Sequence, residues 1–472
     1  MISFEQISFF LFRQSSFLKL LVCVLFLIGG CAKTGKIENQ AVSMLPVEDQ
    51  RYSFANYAYQ NPVGNVLLLL TFSGGGTRAA ALSYGVLEEL RDTYIKGNGN
   101  PKRLLDEVDR ISAVSGGSFT AAYYGLFGEK IFDDFKEEFL YKDIQADLRR
   151  RILRIFKMIG RQFTGVSRTE DIIEYFDSYL FQGKTFADLQ KSRGPFILIN
   201  ATDLNSQSQF VFTQRQFDFF CSDLSQFKIA RAVAASSAVP ILFQPVLIEK
   251  HPDCSFQKPD WVIRIERKAL EENSRRLKSI ASSMAFYLDE NNPPFATLVD
   301  GGVSDNLGLR SVLRNANLAE GMDKLYDKLT KTVPITHAII IVVNASTIAE
   351  TDIGKSKKVP SLLDTIAAVT DVQLHLYNVE SNVLMKQELL QGIESLSLSG
   401  QEITPYYIEL NLEDIENPED RSFLNTIPTN FSLTREQTDK LIEVAKILLR
   451  QNPDYQKLFL DLDATRHTPK NK

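Results

Sequence analysis

The sequence predicts an α/β protein in which helices flank a central, mostly parallel sheet. Three observations favour this fold. Short apolar runs alternate along the chain with segments that have the period of amphipathic helices. Most of these runs are continuously apolar, as in strands that are buried on both faces of a sheet. Two of them lead through glycine-rich turns into helical segments, where α/β sheets often place functional groups.

The predicted elements follow one another in regular order. The strands are predicted at 65–72, 109–114, 196–200, 297–299 and 338–343. Helices are predicted at 79–93, 116–127, 170–181 and 228–237, with a long helix near 361–390. A last helix is predicted to begin at Thr434, because Thr434 and Gln437 are spaced as a capping box.

The composition is that of a globular protein with a large core. The chain has 472 residues, of which 44% are apolar and 24% are charged, and its formal net charge is -5. This charge, together with a sequence that has no long run of basic residues, argues against nucleic acid as a partner. One large domain or two smaller ones fit this length.

The first 30 residues have the order of a secretory signal peptide. Arg13 and Lys19 precede the apolar run 20–28, and small residues follow it. The run is too short to span a bilayer. The segment LIGGC resembles the lipobox of bacterial lipoproteins, which implies that Cys31 is lipidated and becomes the first residue of the mature chain. A plain signal peptide or an uncleaved amphipathic anchor is the alternative.

The polar residues 31–60 are then expected to form a lipid-anchored tether between the membrane and the first strand. Ala32, and not aspartate, follows the cysteine, which favours the outer membrane in a cell with two membranes. The expected location is therefore the cell envelope, with the membrane as the partner of the lipid anchor.

Two further cysteines remain in the mature protein. Cys23 lies in the signal segment, so Cys221 and Cys254 are the only other pair in the sequence. A disulfide between them fits an oxidising compartment, and two reduced, partly buried thiols are the alternative. The cysteines and histidines have no spacing that indicates a metal site, and we expect neither a metal nor a cofactor.

The glycine run at 74–76 lies between a predicted strand and a predicted helix. With Ala79 it satisfies the GxGxxA pattern of dinucleotide-binding sites. That pattern needs an acidic residue at the end of the next strand, and the strand 109–114 ends without one. Backbone amides at such a turn also stabilise other negative charges, including the oxyanion of an acyl transfer.

Ser115 directly follows the predicted strand 109–114 and precedes two glycines. This position is typical of a nucleophile elbow, in which small neighbours let the serine occupy a strained turn above the sheet. Ala113 stands where the GxSxG pattern has its first glycine. A serine that only caps the following helix is the alternative.

Asp300 is the best candidate for the base that a serine nucleophile needs. It ends the predicted strand 297–299 in the segment LVDGGVSDN, and we expect it at the carboxyl edge of the sheet. An ordinary turn aspartate before glycine is the alternative. The four histidines lie in no motif; they are His251, His337, His375 and His467.

The segments SGGGTRA, AVSGGS and VDGGVSDN, in this order, resemble the motifs of the patatin-like phospholipases. The Ser-Gly-Gly-Gly-x-Arg form of the first is similar to the cytosolic phospholipase relatives of that family. The segment KIARAVAASSAVP, at 228–240, resembles the helix-to-proline part between the serine and aspartate motifs. The likeness covers roughly residues 65–345.

The resemblance implies a Ser/Asp dyad without histidine, in which Ser115 is the nucleophile and Asp300 is the base. It also implies an oxyanion hole formed by the backbone amides of Gly74, Gly75 and Gly76. Arg78 would either contact a lipid phosphate or tie the loop to a nearby carboxylate.

The implied organisation is a patatin-like catalytic core at 61–345 that is preceded by the tether. The core has insertions near 129–194 and 251–292, and a C-terminal α/β extension at 346–472 packs on it. In the segment 149–163, basic residues line one helical face and apolar residues another, which fits a helix on anionic lipid or one that covers the core.

The implied function is hydrolysis of lipid acyl esters, with phospholipids as the expected substrates. A thioesterase or general esterase on the same dyad is one alternative. A non-catalytic, lipid-anchored binding protein is the other. The sequence names no protein partner.

Overall fold

The computed structural model describes residues 35–42, 46, 51–61, 63–96, 100–144, 146, 168–240, 243–252, 258–318, 334–347, 357, 359–398 and 400–466. Several sequence predictions fall outside these ranges. They are the signal peptide 1–30 with Cys31, the amphipathic segment 149–163, Cys254 and His467.

The first half of the chain alternates helices and strands as expected. Its elements are α1 (Phe54–Gln60), β1 (Val66–Phe72), α2 (Gly76–Asp92), β2 (Thr93–Ile95), β3 (Lys102–Arg103), β4 (Val108–Val114), α3 (Gly116–Phe127), α4 (Ile131–Phe135), α5 (Arg168–Tyr179), α6 (Phe186–Lys191), β5 (Phe196–Asp203), β6 (Ser208–Val211), α7 (Gln214–Asp218) and α8 (Ile229–Ser236).

The second half completes the sheet and adds its longest helix. Its elements are β7 (Val246–Glu249), α9 (Asp260–Glu271), α10 (Arg275–Ala285), β8 (Phe295–Asp300), α11 (Gly302–Asp305), α12 (Leu309–Leu318), β9 (His337–Asn344), α13 (Leu362–Leu398), β10 (Thr404–Asn411), α14 (Pro418–Asn425), α15 (Arg435–Gln451), α16 (Pro453–Asp461) and β11 (Thr465–Arg466). All five predicted strands are present. The capping box at Thr434 and Gln437 is confirmed at the start of α15.

The central sheet has the strand order β10-β9-β1-β4-β5-β8-β7, and β6 pairs with β5 outside this path. The five strands from β10 to β5 are mutually parallel. The predicted α/β fold with a mostly parallel sheet is therefore confirmed. The last two strands depart from this pattern, because β8 runs antiparallel to β5 and β7 antiparallel to β8.

Apolar side chains cover both faces of the sheet, which explains the continuous apolar runs of its strands. In β9, Ile339, Ile341 and Val343 join the larger core cluster on one face. Their neighbours Ala338, Ile340 and Val342 join a second cluster on the opposite face. Helices α2 and α15 pack against each other over the first cluster, and α13 packs on α12 and β10 beside the second.

The C-terminal extension is part of the same layered structure. Its strand β10 pairs with β9 over its whole length and forms one edge of the sheet. The half-exposed Arg450 of α15 donates a 2.6 Å hydrogen bond to the buried Glu89 of α2. Residues 346–466 therefore contribute to the fold around the core and do not form a separate unit.

The segment before the first strand is held on the core. Arg231, which is fully buried, donates a 2.6 Å hydrogen bond to Glu38 and also bonds to Glu170. Asn39 exchanges hydrogen bonds with the backbone of Glu249 in β7. The predicted tether at 31–60 thus differs from the structure at 35–42 and in α1. The reason is a set of ionic and backbone partners some 200 positions away in the sequence, which local polarity does not reveal.

The structure bears on one predicted disulfide and on the possibility of membrane-spanning helices. Cys221 is disulfide-bonded. Its predicted pairing with Cys254 stays a prediction, because Cys254 lies outside the described residues. Among the helices of the described ranges, none combines the length and apolar character that crossing a bilayer requires.

Candidate active site

Ser115 occupies a strained turn between β4 and α3, as a nucleophile elbow requires. Its backbone has φ 48° and ψ -122°, in the region that favours glycine and costs a serine about 1–3 kcal/mol. The next residue must be small, because a Cβ at Gly116 would lie 2.0 Å from the carbonyl oxygen of Gly76. The helix α3 can therefore begin directly against the glycine-rich turn.

The side chain of Ser115 does not cap the helix that follows it. Its own amide instead donates a 2.8 Å hydrogen bond to Ser236 Oγ at the end of α8. Ser236 in turn donates to the carbonyl oxygen of Asn200 at 2.6 Å. These bonds hold the strained backbone and leave the Ser115 hydroxyl for another partner.

That partner is Asp300. Ser115 Oγ donates a 2.7 Å hydrogen bond to Asp300 Oδ2, and the amide of Gly302 donates a 2.7 Å bond to Oδ1. Both side chains are nearly inaccessible, since Ser115 is 4% exposed and Asp300 is 8% exposed. The hydroxyl and the carboxylate are therefore in direct contact in a largely dry environment.

Burial raises the pKa of Asp300 to about 6, and the hydrogen bonds from Ser115 and Gly302 only partly offset this increase. Burial acts in this direction because it disfavours the charged form of a carboxyl group. The group is thus still ionised at neutral pH, yet it is more basic than an ordinary aspartate. This is the range in which a general base is most effective.

An antiparallel strand places Asp300 beside Ser115. In the sheet, Val114 is paired with Asn200, and the next residue of β5, Ala201, is paired with Asp300. Because β8 is antiparallel to β5, it begins beyond the carboxyl end of β5 and runs back along it. Its last residue, Asp300, is thereby level with Ser115. Asp300 thus ends β8 and lies level with the carboxyl end of β4, although β8 is antiparallel to β5.

The second aspartate of the same motif has a different role. Asp305 is fully buried and accepts hydrogen bonds from Gln209 and from the backbone amides of Leu309 and Arg310. It therefore caps the start of α12. Burial raises the pKa of Asp305 to about 6 as well, so the contact with serine, and not the pKa, distinguishes the two carboxyl groups.

The glycine-rich turn lies beside Ser115 because β1 pairs with β4, with Phe72 opposite Ala113. The amide of Gly74 donates a 3.0 Å hydrogen bond to the carbonyl of Asn306 and is not available to an oxyanion in this conformation. In the described part of the chain, the amides of Gly75 and Gly76 have no acceptor. The predicted donor set is thereby reduced to these two, at the positive end of α2.

Arg78, in the first turn of α2, ties the turn to the C-terminal extension. Its guanidinium donates to the carbonyls of Ala345 at 2.8 Å and Ile427 at 2.6 Å, and to Thr429 Oγ1 at 3.0 Å. Burial lowers the pKa of Arg78 to about 10, which leaves it charged at neutral pH. The predicted tie is present, with carbonyl groups and a hydroxyl in place of a hydrogen-bonded carboxylate.

Ser115 and Asp300 face a cavity of about 710 Å³. Its wall combines residues of the core with residues of the extension; they are Gly74, Gly75, Arg78, Val239, Pro240, Gly302, Val303, Asn306, Ser346, Thr347, Thr370, Asp371, Leu374, His375, Asn425, Thr426, Ile427, Pro428 and Thr429. The cavity has the size of sites that enclose small organic ligands.

The histidines take three different positions. His375 borders the cavity from α13, whereas His251 is bonded to Asn39 and His337 begins β9. The hydrogen bond between Ser115 and Asp300 is direct, so it requires no histidine between them.

The sequence did not indicate Ser236, Asn306 or Asp371 at the site, and it placed His375 in no motif. Ser236 lies in the segment 228–240 that was singled out, but no pattern there distinguishes it from Ser237. Asp371 and His375 are four residues apart on one face of a helix, and only the packing of α13 beside the cavity gives this spacing a meaning.

The sequence of residues 70–313 matches the profile of a family described as patatin-like phospholipase. The match includes Ser115, Asp300 and the glycine-rich turn, and it covers more than half of the chain. The chain belongs to the patatin-like phospholipase family. As a member of this family, the protein is a lipid acyl hydrolase.

Two solved structures have a weak likeness to this chain. Human GIVD cytosolic phospholipase A2 is similar over 92% of this chain and 69% of its own, with 13% identity and a TM-score of 0.41. VipD from Legionella pneumophila is similar over 89% of this chain and 72% of its own, with 12% identity and a TM-score of 0.27. A search of curated proteins gives no match.

Proposed function

We propose that this patatin-like protein hydrolyses acyl esters of phospholipids through a dyad of Ser115 and Asp300. The observation that carries the proposal is the direct 2.7 Å hydrogen bond from Ser115 Oγ to the buried Asp300 carboxylate. A serine hydroxyl needs a base to become a nucleophile, and this carboxylate is the group in contact with it.

The reaction begins when Ser115 Oγ attacks the ester carbonyl carbon and its proton passes to Asp300 Oδ2. The carbonyl oxygen becomes an oxyanion, to which the amides of Gly75 and Gly76 donate hydrogen bonds. When the intermediate collapses, Asp300 returns the proton to the leaving alcohol and the acyl group stays on Ser115. Asp300 then takes a proton from water while the resulting hydroxide attacks the acyl carbonyl carbon. When this second intermediate collapses, Asp300 returns that proton to Ser115 Oγ and the fatty acid leaves.

The cavity fits an amphipathic substrate. Val239, Pro240, Val303 and Leu374 supply apolar wall close to the dyad. Arg78 supplies positive charge on the same wall and suits a phosphate. A phospholipid has both parts, whereas a simple ester leaves the polar part of the wall without a partner.

We also propose that the protein is attached to a membrane of the cell envelope through a lipidated Cys31. The sequence LIGGC supports this proposal, since it places a cysteine where a lipoprotein signal peptide is cleaved. The anchor would bring the cavity to the surface that contains the substrate.

Hydrolysis of defined phospholipids by the purified full chain, with analysis of the released acids and lysolipids, tests the proposed function. The wild type should release fatty acid and should be labelled by a fluorophosphonate. Ser115→Ala should abolish both signals, and Ser283→Ala, a serine on α10 outside the cavity, should retain them. A folded wild type that neither hydrolyses nor becomes labelled would contradict the proposal and favour a binding protein.

A further inference from the structure

The cavity that contains Ser115 has two opposite charges on its wall, and they come from different parts of the chain. Arg78 belongs to the first turn of α2, immediately after the glycine-rich turn. Asp371 belongs to α13 in the C-terminal extension, beyond the residues that match the family profile. The mechanism assigns no step to Asp371.

The cation is fixed in place. Arg78 is 5% exposed and bonds to Ala345, Ile427 and Thr429 through three of the five N–H groups that a guanidinium carries. These partners are neutral, so none of them cancels its charge. Arg78 therefore presents a rigid positive group at the cavity, one helical turn from the oxyanion amides.

The anion has no such partners. In the described part of the chain, the Asp371 carboxylate forms neither a hydrogen bond nor an ion pair. Partial burial raises its pKa, and the positive charge of Arg78 lowers it. In return, the negative charge of Asp371 partly offsets the lowering of the Arg78 pKa that burial causes. The charges of these two groups on the cavity wall thus influence each other without a hydrogen bond or ion pair between them.

A ligand that satisfies both groups carries a negative charge followed by a positive one. The phosphate of a phospholipid lies close to the acyl esters, and any ammonium group lies beyond it. With an ester carbonyl at Ser115, a phosphate can meet Arg78 and an ammonium group can meet Asp371, since all three residues line the same cavity. We propose that Arg78 and Asp371 form a head-group subsite for zwitterionic phospholipids that carry an ammonium group.

This subsite rests on the proposed function, and it adds a selectivity to it. An anionic lipid without an ammonium group would leave the Asp371 carboxylate opposite an uncharged or negative head group. Hydrogen bonds to a charged group contribute enough to change affinity by about tenfold or more. The zwitterionic lipid should be favoured by this factor.

Equilibrium binding and hydrolysis should be measured with monomeric dihexanoyl phosphatidylethanolamine and dihexanoyl phosphatidylglycerol, so that membrane surface charge plays no part. Work at about pH 8 keeps histidine neutral. Binding is measured by calorimetry on the full chain with Ser115→Ala, and hydrolysis on the chain with Ser115 intact. Asp371→Asn and Asp371→Lys are compared with Glu380→Gln, which removes an exposed carboxylate from the same helix outside the cavity.

The expected result is an ethanolamine preference of about tenfold in both measurements. Asp371→Asn should bring the ratio close to one, Asp371→Lys should reverse it, and Glu380→Gln should leave it unchanged. Equal use of the two lipids, or an unchanged ratio in Asp371→Asn, would overturn the subsite while hydrolysis still supports the proposed function. Selective binding without hydrolysis would overturn the proposed function and support the subsite.

Discussion

Ser115 Oγ donates directly to Asp300 Oδ2 over 2.7 Å, with no side chain between the hydroxyl and the carboxylate. In a triad, histidine occupies that position and carries the proton. In the proposed mechanism, the buried carboxylate accepts the proton itself.

Ser115→Ala and Asp300→Asn should each lower turnover of a phospholipid by at least about a thousandfold, because the two residues act as one unit. For the same reason, the double variant should be hardly less active than either single one. Initial rates with defined substrate, together with circular dichroism of each variant, check this. Losses that multiply in the double variant would show that the residues act independently.

The pH dependence of kcat/KM should follow the ionisation of Asp300. Burial raises the pKa of this group to about 6, and only the ionised form accepts the serine proton. The rate should therefore level off above about pH 7 and fall by roughly tenfold per pH unit well below pH 6. A profile that stays flat down to about pH 4 would contradict a base with a raised pKa.

His375→Asn should retain most of the activity, because His375 borders the cavity but the serine already has its base. The pH profile of this variant is the decisive measurement, because it shows whether the group that controls the rate is still present. Its midpoint should stay where the wild type has it. A variant as inactive as Ser115→Ala, or one whose midpoint vanishes, would identify a histidine-dependent mechanism.

Asp300→Asn should stabilise the fold at neutral pH. The pKa of Asp300 is about 6 in the folded chain, above the value of about 3.9 in an unfolded chain, so ionisation opposes folding. This cost is absent below about pH 4, grows as the pH rises to about 6, and reaches about 3 kcal/mol at neutral pH.

Thermal unfolding of Asp300→Asn and wild type at about pH 4 and about pH 7.5 measures this effect. Weaker hydrogen bonds to the amide offset part of the gain, so we expect about 1–2 kcal/mol in favour of the variant at the higher pH only. A lower melting temperature for Asp300→Asn than for the wild type at about pH 7.5 would show that the ionised carboxylate does not destabilise the folded protein.

Cys31→Ser should abolish labelling by a palmitate analogue and move the protein from the membrane fraction to the soluble fraction. Cys221→Ser is the matched control, since it removes a cysteine of the disulfide and should leave the label in place. Labelling of Cys31→Ser at the level of the wild type would exclude the lipobox interpretation.

Most of the site residues were predicted from short local motifs. The glycine-rich turn, Ser115 and Asp300 each lie at the end of an apolar run, and such a pattern can be found without knowing which strands are neighbours. The direction of β8 is different, because it depends on the pairing with β5. Asp300 was therefore predicted from its place at the end of an apolar run, without knowledge of the direction of its strand.

The remaining parts of the site depend on contacts between distant segments. Asp371 lies in a helix of 37 residues that has no catalytic motif, and it reaches the cavity only through the packing of α13 on the core. Gly74 was predicted as an oxyanion donor, yet its amide is bound by the carbonyl of Asn306. Neither the position of Asp371 at the cavity nor the hydrogen bond from Gly74 to Asn306 can be predicted from the local sequence.

If Cys31 carries the proposed lipid, the docking of residues 35–42 limits the distance between the folded enzyme and the membrane. Gly35 lies against Leu247, so a lipid on Cys31 would be joined to the folded body by only three intervening residues. Even fully extended, this connection spans about 14 Å. Such an enzyme would stay next to the membrane surface. Its turnover would then depend on the mole fraction of substrate in its own leaflet and on lateral diffusion there.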